Sequence, residues 1–178
     1  MYTTGFFVDS NAEAVNKVCE FAAANNKKLA FNLSAVFVVQ FFMEQVKKVL
    51  KYADFVFCNE DEASAFAKAE GLEEKDYEGV GKLIAGLEKA NSEPRHVIIT
   101  LGPEPALLVT CVNGETTVER TTVFKVGDDA IVDTNGAGDA FVGGFMAELS
   151  REYNIQAACT EGSRLASKVI QKSGCVFE

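Results

Sequence analysis

The sequence predicts an α/β fold: a mainly parallel sheet with flanking helices and a β-hairpin toward the C-terminal side. Two observations predict it. Short apolar segments of strand length alternate with amphipathic segments of helix length, and this alternation is typical of parallel strands joined by crossover helices. The dipeptide Asn113-Gly114 separates two later strand-like segments, which favours a tight turn between antiparallel strands.

The strands are predicted from short runs rich in β-branched and aromatic residues, bounded by turn-forming residues. They are expected at Thr4–Val8, Lys28–Asn32, Asp54–Cys58, His96–Leu101, Ala106–Val112, Thr116–Phe124 and Ile131–Asp133. Gly102-Pro103 follows one of these strands and ends it, because this pair is a strong turn former.

The helices are predicted from apolar residues that recur with helical spacing. They are expected at Asn11–Asn25, Ser34–Lys51, Glu60–Ala69, Tyr77–Ala90, Gly138–Leu149 and Ile155–Gln171. Asn11 or Ser10 is a suitable N-cap for the first helix, and Gly71 is a typical residue just past the end of the third.

Composition bounds the domain count and the class of partner. The chain has 178 residues, of which 48% are hydrophobic, so residues 1–178 are enough for one domain with a core and few for two. Seventeen basic residues against 26 acidic ones give a formal net charge of -9. An acidic chain repels a phosphate backbone, so no nucleic-acid partner is expected.

Cysteine usage and hydropathy indicate the compartment. Five cysteines are scattered along the chain, none in a C-x-x-C pair, so a zinc site is not expected. An odd, dispersed set of thiols fits a reducing, cytoplasmic setting. No apolar run approaches the roughly 18 residues that cross a bilayer, so no membrane partner is expected. The N-terminus lacks a basic segment, so no signal peptide is expected.

Polar clusters follow three of the predicted strands: Asn59–Glu62, Thr100–Gly102 and Asp133–Asp139. In open α/β sheets, ligands bind beyond the carboxyl ends of the strands. These three clusters are therefore predicted to converge on one sheet edge and to form a site there.

The glycine-rich turn at Asn135–Asp139 leads into a helix whose Phe141, Phe145 and Leu149 share an apolar face. Small residues let the backbone approach a ligand closely, and the first helical N–H groups favour an anion. A carboxylate at Asp139 would repel that anion, but it is well placed to accept a proton from an attacking hydroxyl. The alternative is structural: Asp139 stabilises the helix start, and the glycines serve a tight turn.

One long motif carries a resemblance to a known family: Asp133-Thr-Asn-Gly-Ala-Gly-Asp139-Ala-Phe-Val-Gly-Gly-Phe145. It resembles the C-terminal signature of the PfkB/ribokinase family of carbohydrate and nucleoside kinases. With Asn135 and the segment Phe31-Asn-Leu-Ser-Ala35, the chain is similar to the members that phosphorylate adenosine. The resemblance implies a ribokinase-like fold, with the lid and N-terminal strands of the family absent from this chain.

The resemblance also implies roles for individual residues. Asp139 corresponds to the catalytic base, and the amides of Gly136, Ala137 and Gly138 correspond to an anion hole for the γ-phosphoryl group. Asn135 and Phe37 correspond to contacts with the nucleoside substrate. The start of the motif, Asp133 and Thr134, is expected to organise the loop or to lie near a monovalent-cation site.

The resemblance implies further contacts to the nucleotide. Asn59 and Glu62 match a motif that holds Mg²⁺ and phosphate through water, although the same pair is almost a helix capping box. Thr100 and Gly102 match nucleotide-phosphate contacts, but they also suit a plain strand-ending turn. Ser163 matches a position near the adenine, where some relatives carry histidine.

The activity implied is transfer of the ATP γ-phosphate to the 5′-hydroxyl of adenosine, giving AMP and ADP in purine salvage, with Mg²⁺ and a monovalent cation as cofactors. One alternative is a catalytically silent nucleotide-binding fragment that needs an N-terminal half. Another is a related kinase for a different nucleoside or a sugar. Association is expected through an uncovered sheet edge or with an N-terminal half, because an open apolar strand edge pairs readily.

Overall fold

The computed structural model of the chain describes residues 1–174. The chain forms two compact units. Unit 1 comprises Met1–Thr100 and Leu107–Glu119, and unit 2 comprises Leu101–Ala106 and the chain from Arg120 onward.

The described residues form one sheet of six strands in the order β1-β2-β3-β4-β5-β6. The strands are β1 Tyr2–Thr4, β2 Ala30–Asn32, β3 Phe55–Asn59, β4 Arg95–Leu101, β5 Glu104–Val112 and β6 Glu115–Arg120. The first four strands pair in parallel with their neighbours. Asn113 and Gly114 join the last two with positive φ angles of 51° and 84°, which a two-residue hairpin turn requires. The predicted α/β fold, with a mainly parallel sheet and a β-hairpin toward its C-terminal side, is confirmed.

Seven α-helices accompany the sheet within residues 1–174. They are α1 Gly5–Ser10, α2 Ala12–Ala24, α3 Val36–Leu50, α4 Glu60–Ala69, α5 Tyr77–Gly86, α6 Ala137–Glu152 and α7 Ile155–Val169. Side-chain N-caps begin several of them: Asn11 accepts from Ala14 N–H, and Asn154 accepts from Ala157 N–H. These caps satisfy N–H groups that have no partner inside the helix.

The buried guanidinium of Arg95 organises the amino-terminal side of the sheet in unit 1. Its side chain is 1% exposed and donates six hydrogen bonds to backbone carbonyls. The acceptors are the carbonyls of Leu50, Ala53, Ile84, Ala85, Leu87 and Glu88. These carbonyls lie at the ends of α3 and α5, where helices leave acceptors unsatisfied. Burial lowers the pKa of Arg95 from its ordinary value, and the hydrogen bonds satisfy its donors.

A buried carboxylate lies beside this arginine. Asp54 precedes β3, and its Oδ2 accepts from Leu29 N–H at 2.8 Å. Its Oδ1 accepts from Lys89 Nζ at 2.6 Å. Burial lowers the pKa of Lys89, and the contact with Asp54 opposes that effect. The carboxylate therefore ties β2, β3 and the segment after α5 together.

The expected strand at Thr4–Val8 is wrong. The chain is extended only over Tyr2–Thr4 and becomes helical at Gly5. Gly5 donates its N–H to Ser34 Oγ at 3.1 Å, and a Cβ there would lie 2.1 Å from Leu33 O. Close packing against the neighbouring segment therefore turns the chain, a contact that the local apolar pattern does not encode.

Two further expectations are corrected. Ile131–Asp133 is not a strand, because the N–H groups of Val132 and Asp133 both donate to Ile170 O at the end of α7. The helix expected at Tyr77–Ala90 ends at Gly86, and its last carbonyls turn toward Arg95. In both places a distant partner takes the backbone group that the predicted element would have used.

Helices α6 and α7 of unit 2 pack at close range through glycine. A Cβ at Gly144 would lie 2.8 Å from Glu161 O and 3.0 Å from Gly162 Cα. A Cβ at Gly143 would meet nothing within 4 Å. Only one of the two adjacent glycines is therefore required by the helix contact.

We predict that Arg95→Lys lowers the free energy of unfolding by about 3 kcal/mol or more, because lysine cannot satisfy the same set of buried carbonyls. Urea unfolding measures the change. Arg151→Lys is the matched control: Arg151 is 73% exposed and pairs with Glu148, so its effect should stay within about 0.5 kcal/mol. Equal effects of the two substitutions would contradict the role given to Arg95.

We predict opposite effects from two neighbouring glycine substitutions. Gly144→Ala should lower stability by about 2 kcal/mol, because α6 and α7 must move apart. Gly143→Ala should raise it by up to about 1 kcal/mol, because alanine favours the helix and meets open space. Thermal unfolding of both variants checks the pair, and indistinguishable midpoints would show that the helix contact does not need Gly144.

Candidate active site

Three of the predicted site residues lie together at the carboxyl ends of β3 and β4 in unit 1. Asn59 is the last residue of β3 and stands opposite Thr100 in the parallel register. Asn59 Oδ1 accepts from Glu62 N–H at 2.8 Å, and Glu62 Oε2 accepts from Asn59 N–H at 3.1 Å. The reciprocal pair is a complete capping box that begins α4. The predicted role of Asn59 and Glu62 as a helix capping box is confirmed, and the two hydrogen bonds hold both side chains at this end of the sheet.

Glu62 is the electrostatically unusual member of this group. The residue is 5% exposed, and burial raises the pKa of its carboxyl to about 7. The hydrogen bond from Asn59 N–H opposes this shift, whereas Asp61 and Glu60 add to it. A carboxyl group held in this way gains from a nearby cation, which would offset its desolvation.

Thr100 lies near the end of β4, where its Oγ1 donates to Cys58 O at 3.5 Å. Gly102 follows in unit 2 with a positive φ of 54° and starts the tight connection to β5. Both positions suit the strand-ending turn that the sequence predicted. Their contact with a nucleotide stays a prediction.

Phe37 lies in the first turn of α3 in unit 1 and is 37% exposed. Its ring centroid is 6.1 Å from that of Phe6 on α1, with the planes tilted by 41°. Phe6 is itself 54% exposed. The sequence prediction missed this pair because Phe6 was expected in a strand; its aromatic character was the available signal.

The glycine-rich turn of unit 2 has an unusual backbone. Gly136 is the N-cap residue of α6 and adopts φ of 78°, a left-handed conformation that favours glycine. Ala137 N–H donates to Thr134 O at 3.2 Å. The N–H groups of Gly136 and Gly138 have no acceptor within residues 1–174, and a Cβ at Gly138 would meet open space. Two amides are therefore available to an anion at this helix start.

Asp139 lies in the first turn of α6 and is exposed. Its carboxylate has no hydrogen-bond or ion-pair partner in the described part of the chain. It therefore stands beside the open amides with its acceptor capacity unused.

Other contacts in unit 2 hold the segment before this turn. Asp133 Oδ1 accepts from Asn135 N–H at 2.9 Å, and its Oδ2 accepts from Gly174 N–H at 3.2 Å. Ser163 is 8% exposed, and its Oγ accepts from Phe124 N–H at 2.9 Å. Ser163 thus has a structural partner, and its predicted contact with adenine stays untested.

The structure brings Asn59, Glu62 and Thr100 together in unit 1, and Asn135–Asp139 together in unit 2. The prediction that all three polar clusters follow strands is wrong for the last one, because residues 131–133 form no strand. Convergence of the clusters on one edge remains a prediction. The roles of Phe124 and Gly174 were missed, and no local sequence pattern signals them, because their partners are distant in the chain.

No group of three or more His, Cys, Asp or Glu side chains that would hold a metal ion occurs in the described residues. The described cysteines, Cys19, Cys58, Cys111 and Cys159, are free thiols, and Cys175 lies outside the described residues. Within residues 1–174, none of the helices combines the length and the apolar character that crossing a bilayer requires.

Comparison with solved structures identifies similar folds. The structure matches an adenosine kinase from Schistosoma mansoni in complex with 2-fluoroadenosine, with a TM-score of 0.93 and 34% identity, over 99% of this chain and 52% of the other. It also matches an adenosine kinase of Anopheles gambiae in complex with P1,P4-di(adenosine-5) tetraphosphate, with a TM-score of 0.90 and 39% identity, over 98% of this chain and 51% of the other. The ribokinase-like fold predicted from the resemblance is confirmed.

Comparison of sequences agrees with that result. The chain is 42% identical to adenosine kinase 2 of Arabidopsis thaliana over 177 residues, covering 99% of this chain and 50% of the relative. It is 36% identical to the adenosine kinase of Schizosaccharomyces pombe, covering 98% and 50%. It therefore spans about half the length of these relatives. The family described as pfkB family carbohydrate kinase matches residues 1–178. The chain belongs to this PfkB kinase family.

Proposed function

We propose that this chain carries the phosphoryl-transfer machinery of an ATP-dependent kinase that phosphorylates the 5′-hydroxyl of adenosine to give AMP and ADP. The turn at Gly136–Asp139 is the observation that carries the proposal. It combines a left-handed glycine, two amides without acceptors among residues 1–174, and an exposed carboxylate without a partner there. Similarity to adenosine kinases supports adenosine as the acceptor.

Asp139 is the proposed general base. As the 5′-oxygen bonds to the γ-phosphorus, the bond from that phosphorus to the β-bridging oxygen breaks and ADP leaves. The hydroxyl proton passes to the Asp139 carboxylate. The amides of Gly136 and Gly138 donate to the equatorial oxygens, and Ala137 joins them if its 3.2 Å bond to Thr134 O opens.

The residues of unit 1 fit a magnesium ion bound through water. Magnesium keeps several of its waters and favours carboxylate oxygens, so Glu62 supported by Asn59 suffices without a three-carboxylate cage. When bound with ATP, the ion would neutralise phosphate charge. Glu62 itself would then be held ionised, because a nearby dication lowers the pKa of a buried carboxyl.

The remaining residues complete the proposed contacts. Asn135 and the exposed ring of Phe37 would bind the nucleoside, and Thr100 and Gly102 would contact the nucleotide phosphates. Ser163 would lie near the adenine. A monovalent cation near the loop that starts at Asp133, and a cytoplasmic setting that keeps the thiols reduced, belong to the same proposal.

A second candidate is a nucleotide-binding module that needs an N-terminal half for catalysis. The chain spans about half of its relatives' length. Within the described residues β1 lies at the sheet edge, beside a groove of about 260 Å³ lined by Tyr2, Thr3, Thr4, Phe7 and Val18. Thr3 Oγ1 is buried there with no hydrogen-bond partner in the described part of the chain. Formation of AMP by the 178-residue chain alone would count against this candidate.

We predict that Asp139→Asn lowers kcat at least about 100-fold, because the amide cannot accept the hydroxyl proton. The measurement is AMP formation from adenosine and ATP, by the chain alone and by a fusion that places the N-terminal half of Arabidopsis adenosine kinase 2 before it. Asp129→Asn, an exposed carboxylate in the same unit, is the control and should leave kcat unchanged. Near-normal turnover of Asp139→Asn in an active fusion would refute the assigned base.

We predict that Glu62→Gln changes how stability depends on pH. The folded pKa of about 7 lies above the ordinary 4.5, so the folded chain binds more protons between these values and loses stability as pH rises through them. Glutamine keeps the capping-box hydrogen bond without the charge. The free energy of unfolding of the variant, measured relative to that of the parent, should rise by on the order of 3 kcal/mol from pH 4.5 to pH 8.

Urea unfolding between pH 4.5 and pH 8 measures this difference, with the exposed Glu74→Gln as control. The control should follow the parent at every pH. Parallel pH profiles for Glu62→Gln and the parent would show that burial does not raise the pKa of the Glu62 carboxyl.

A further inference from the structure

Residues 121–136 connect β6 to α6 almost without regular structure; a single 3-10 turn, Asp128–Ala130, interrupts them. The segment is nevertheless tied to α7 and the turn that follows it. Phe124 N–H donates to Ser163 Oγ on α7 at 2.9 Å. Val132 and Asp133 donate their N–H groups to Ile170 O at 2.8 and 3.2 Å.

The carboxylate of Asp133 makes two further hydrogen bonds that hold this segment, one through each oxygen. Oδ1 accepts from Asn135 N–H, two residues ahead in the turn, and Oδ2 accepts from Gly174 N–H, beyond the end of α7. Both bonds favour the ionised form, and together they lower the pKa of Asp133, the Asn135 bond first. A local turn-forming aspartate would need only the first bond. The second bond joins the turn to a distant part of the chain.

We propose that Asp133 is a positioning residue that locks the phosphoryl-transfer turn to the end of α7. The hydrogen bond to Asn135 N–H holds the backbone immediately before Gly136. Gly136 has a left-handed conformation, and its N–H group and that of Gly138 have no acceptors inside the described chain. Asp133 itself makes no contact with the substrate in this role. The proposal rests on the proposed function for its consequence, but the lock is a property of the chain alone.

The test separates the lock from the activity by measuring amide hydrogen exchange of the 178-residue chain by NMR at neutral pH. Asp133→Ala should speed exchange at Asn135 and Gly174 at least tenfold. Asp133→Asn should restore slow exchange at Asn135 only, because its remaining carbonyl oxygen still accepts and its NH₂ group cannot. Asp128→Asn removes an exposed charge from the same segment and should change neither amide.

The consequence is tested by calorimetric titration of the same proteins with ATP and Mg²⁺. Asp133→Ala should weaken binding about tenfold although it removes a negative charge, because the amides are no longer held in place. Asp128→Asn should leave binding unchanged or tighten it. If Asp133 instead only repelled the phosphates, Asp133→Ala would bind more tightly, and that result would overturn the positioning role.

The remaining outcomes are also decisive. Unchanged exchange at both amides in Asp133→Ala, or equal effects of Asp128→Asn, would overturn the lock. A parent chain that shows the predicted exchange pattern but binds no ATP would support the lock and count against the proposed function. If Asp133→Ala fails to fold, Asp133→Asn decides, through its contrast between the two amides.

Discussion

The guanidinium of Arg95 is the constraint on which the architecture of unit 1 depends. The ends of α3 and α5 and the start of β3 all present backbone carbonyls to one buried place, where unpaired acceptors would be costly. A planar group with five N–H donors can satisfy them together, which an ammonium cannot. Since Arg95 is also the first residue of β4, the same contacts set where that strand begins. In the register of β3 and β4, Phe55 stands opposite His96 at one end. Four residues further along, Asn59 stands opposite Thr100 at the other end.

Two buried carboxylates lie near the two ends of β3, and they differ in how well their charge is compensated. Asp54, before the strand, has Lys89 Nζ at 2.6 Å and Leu29 N–H at 2.8 Å. Glu62, after the strand, has one backbone N–H and two acidic neighbours, which leaves its charge poorly compensated and its pKa raised. Buried groups with uncompensated charge concentrate at functional sites, whereas compensated pairs are typical of structural networks. The contrast supports the proposal that a cation lies near Glu62 and not near Asp54.

The sequence was sufficient to predict elements whose contacts are mainly with residues close to them in the chain. The bounds of α4 follow from Asn59 as N-cap and the apolar spacing that ends before Gly71, and the hairpin follows from Asn113-Gly114. Local signals failed where a distant group decides the backbone. Gly5 turns because Leu33 and Ser34 lie against it, and α5 ends because Arg95 takes its carbonyls. The same holds for the candidate site. The sequence predicted its glycine-rich motif, but it did not predict the hydrogen bonds with Ile170 and Gly174 that hold the motif in place.

The motif in unit 2 places two carboxylates close together in sequence and gives them opposite surroundings. Both oxygens of Asp133 accept backbone N–H groups, so protonating it would break contacts that hold the turn. Asp139 is exposed and has no partner among the described residues, so as the proposed base it would accept a proton without breaking any contact that holds the turn. A base that also held the turn would disturb the anion hole each time it was protonated. In the proposed mechanism, separating the two tasks between two aspartates would let the turn keep its geometry while the proton moves, which is the condition for preorganised stabilisation of a transferring phosphoryl group.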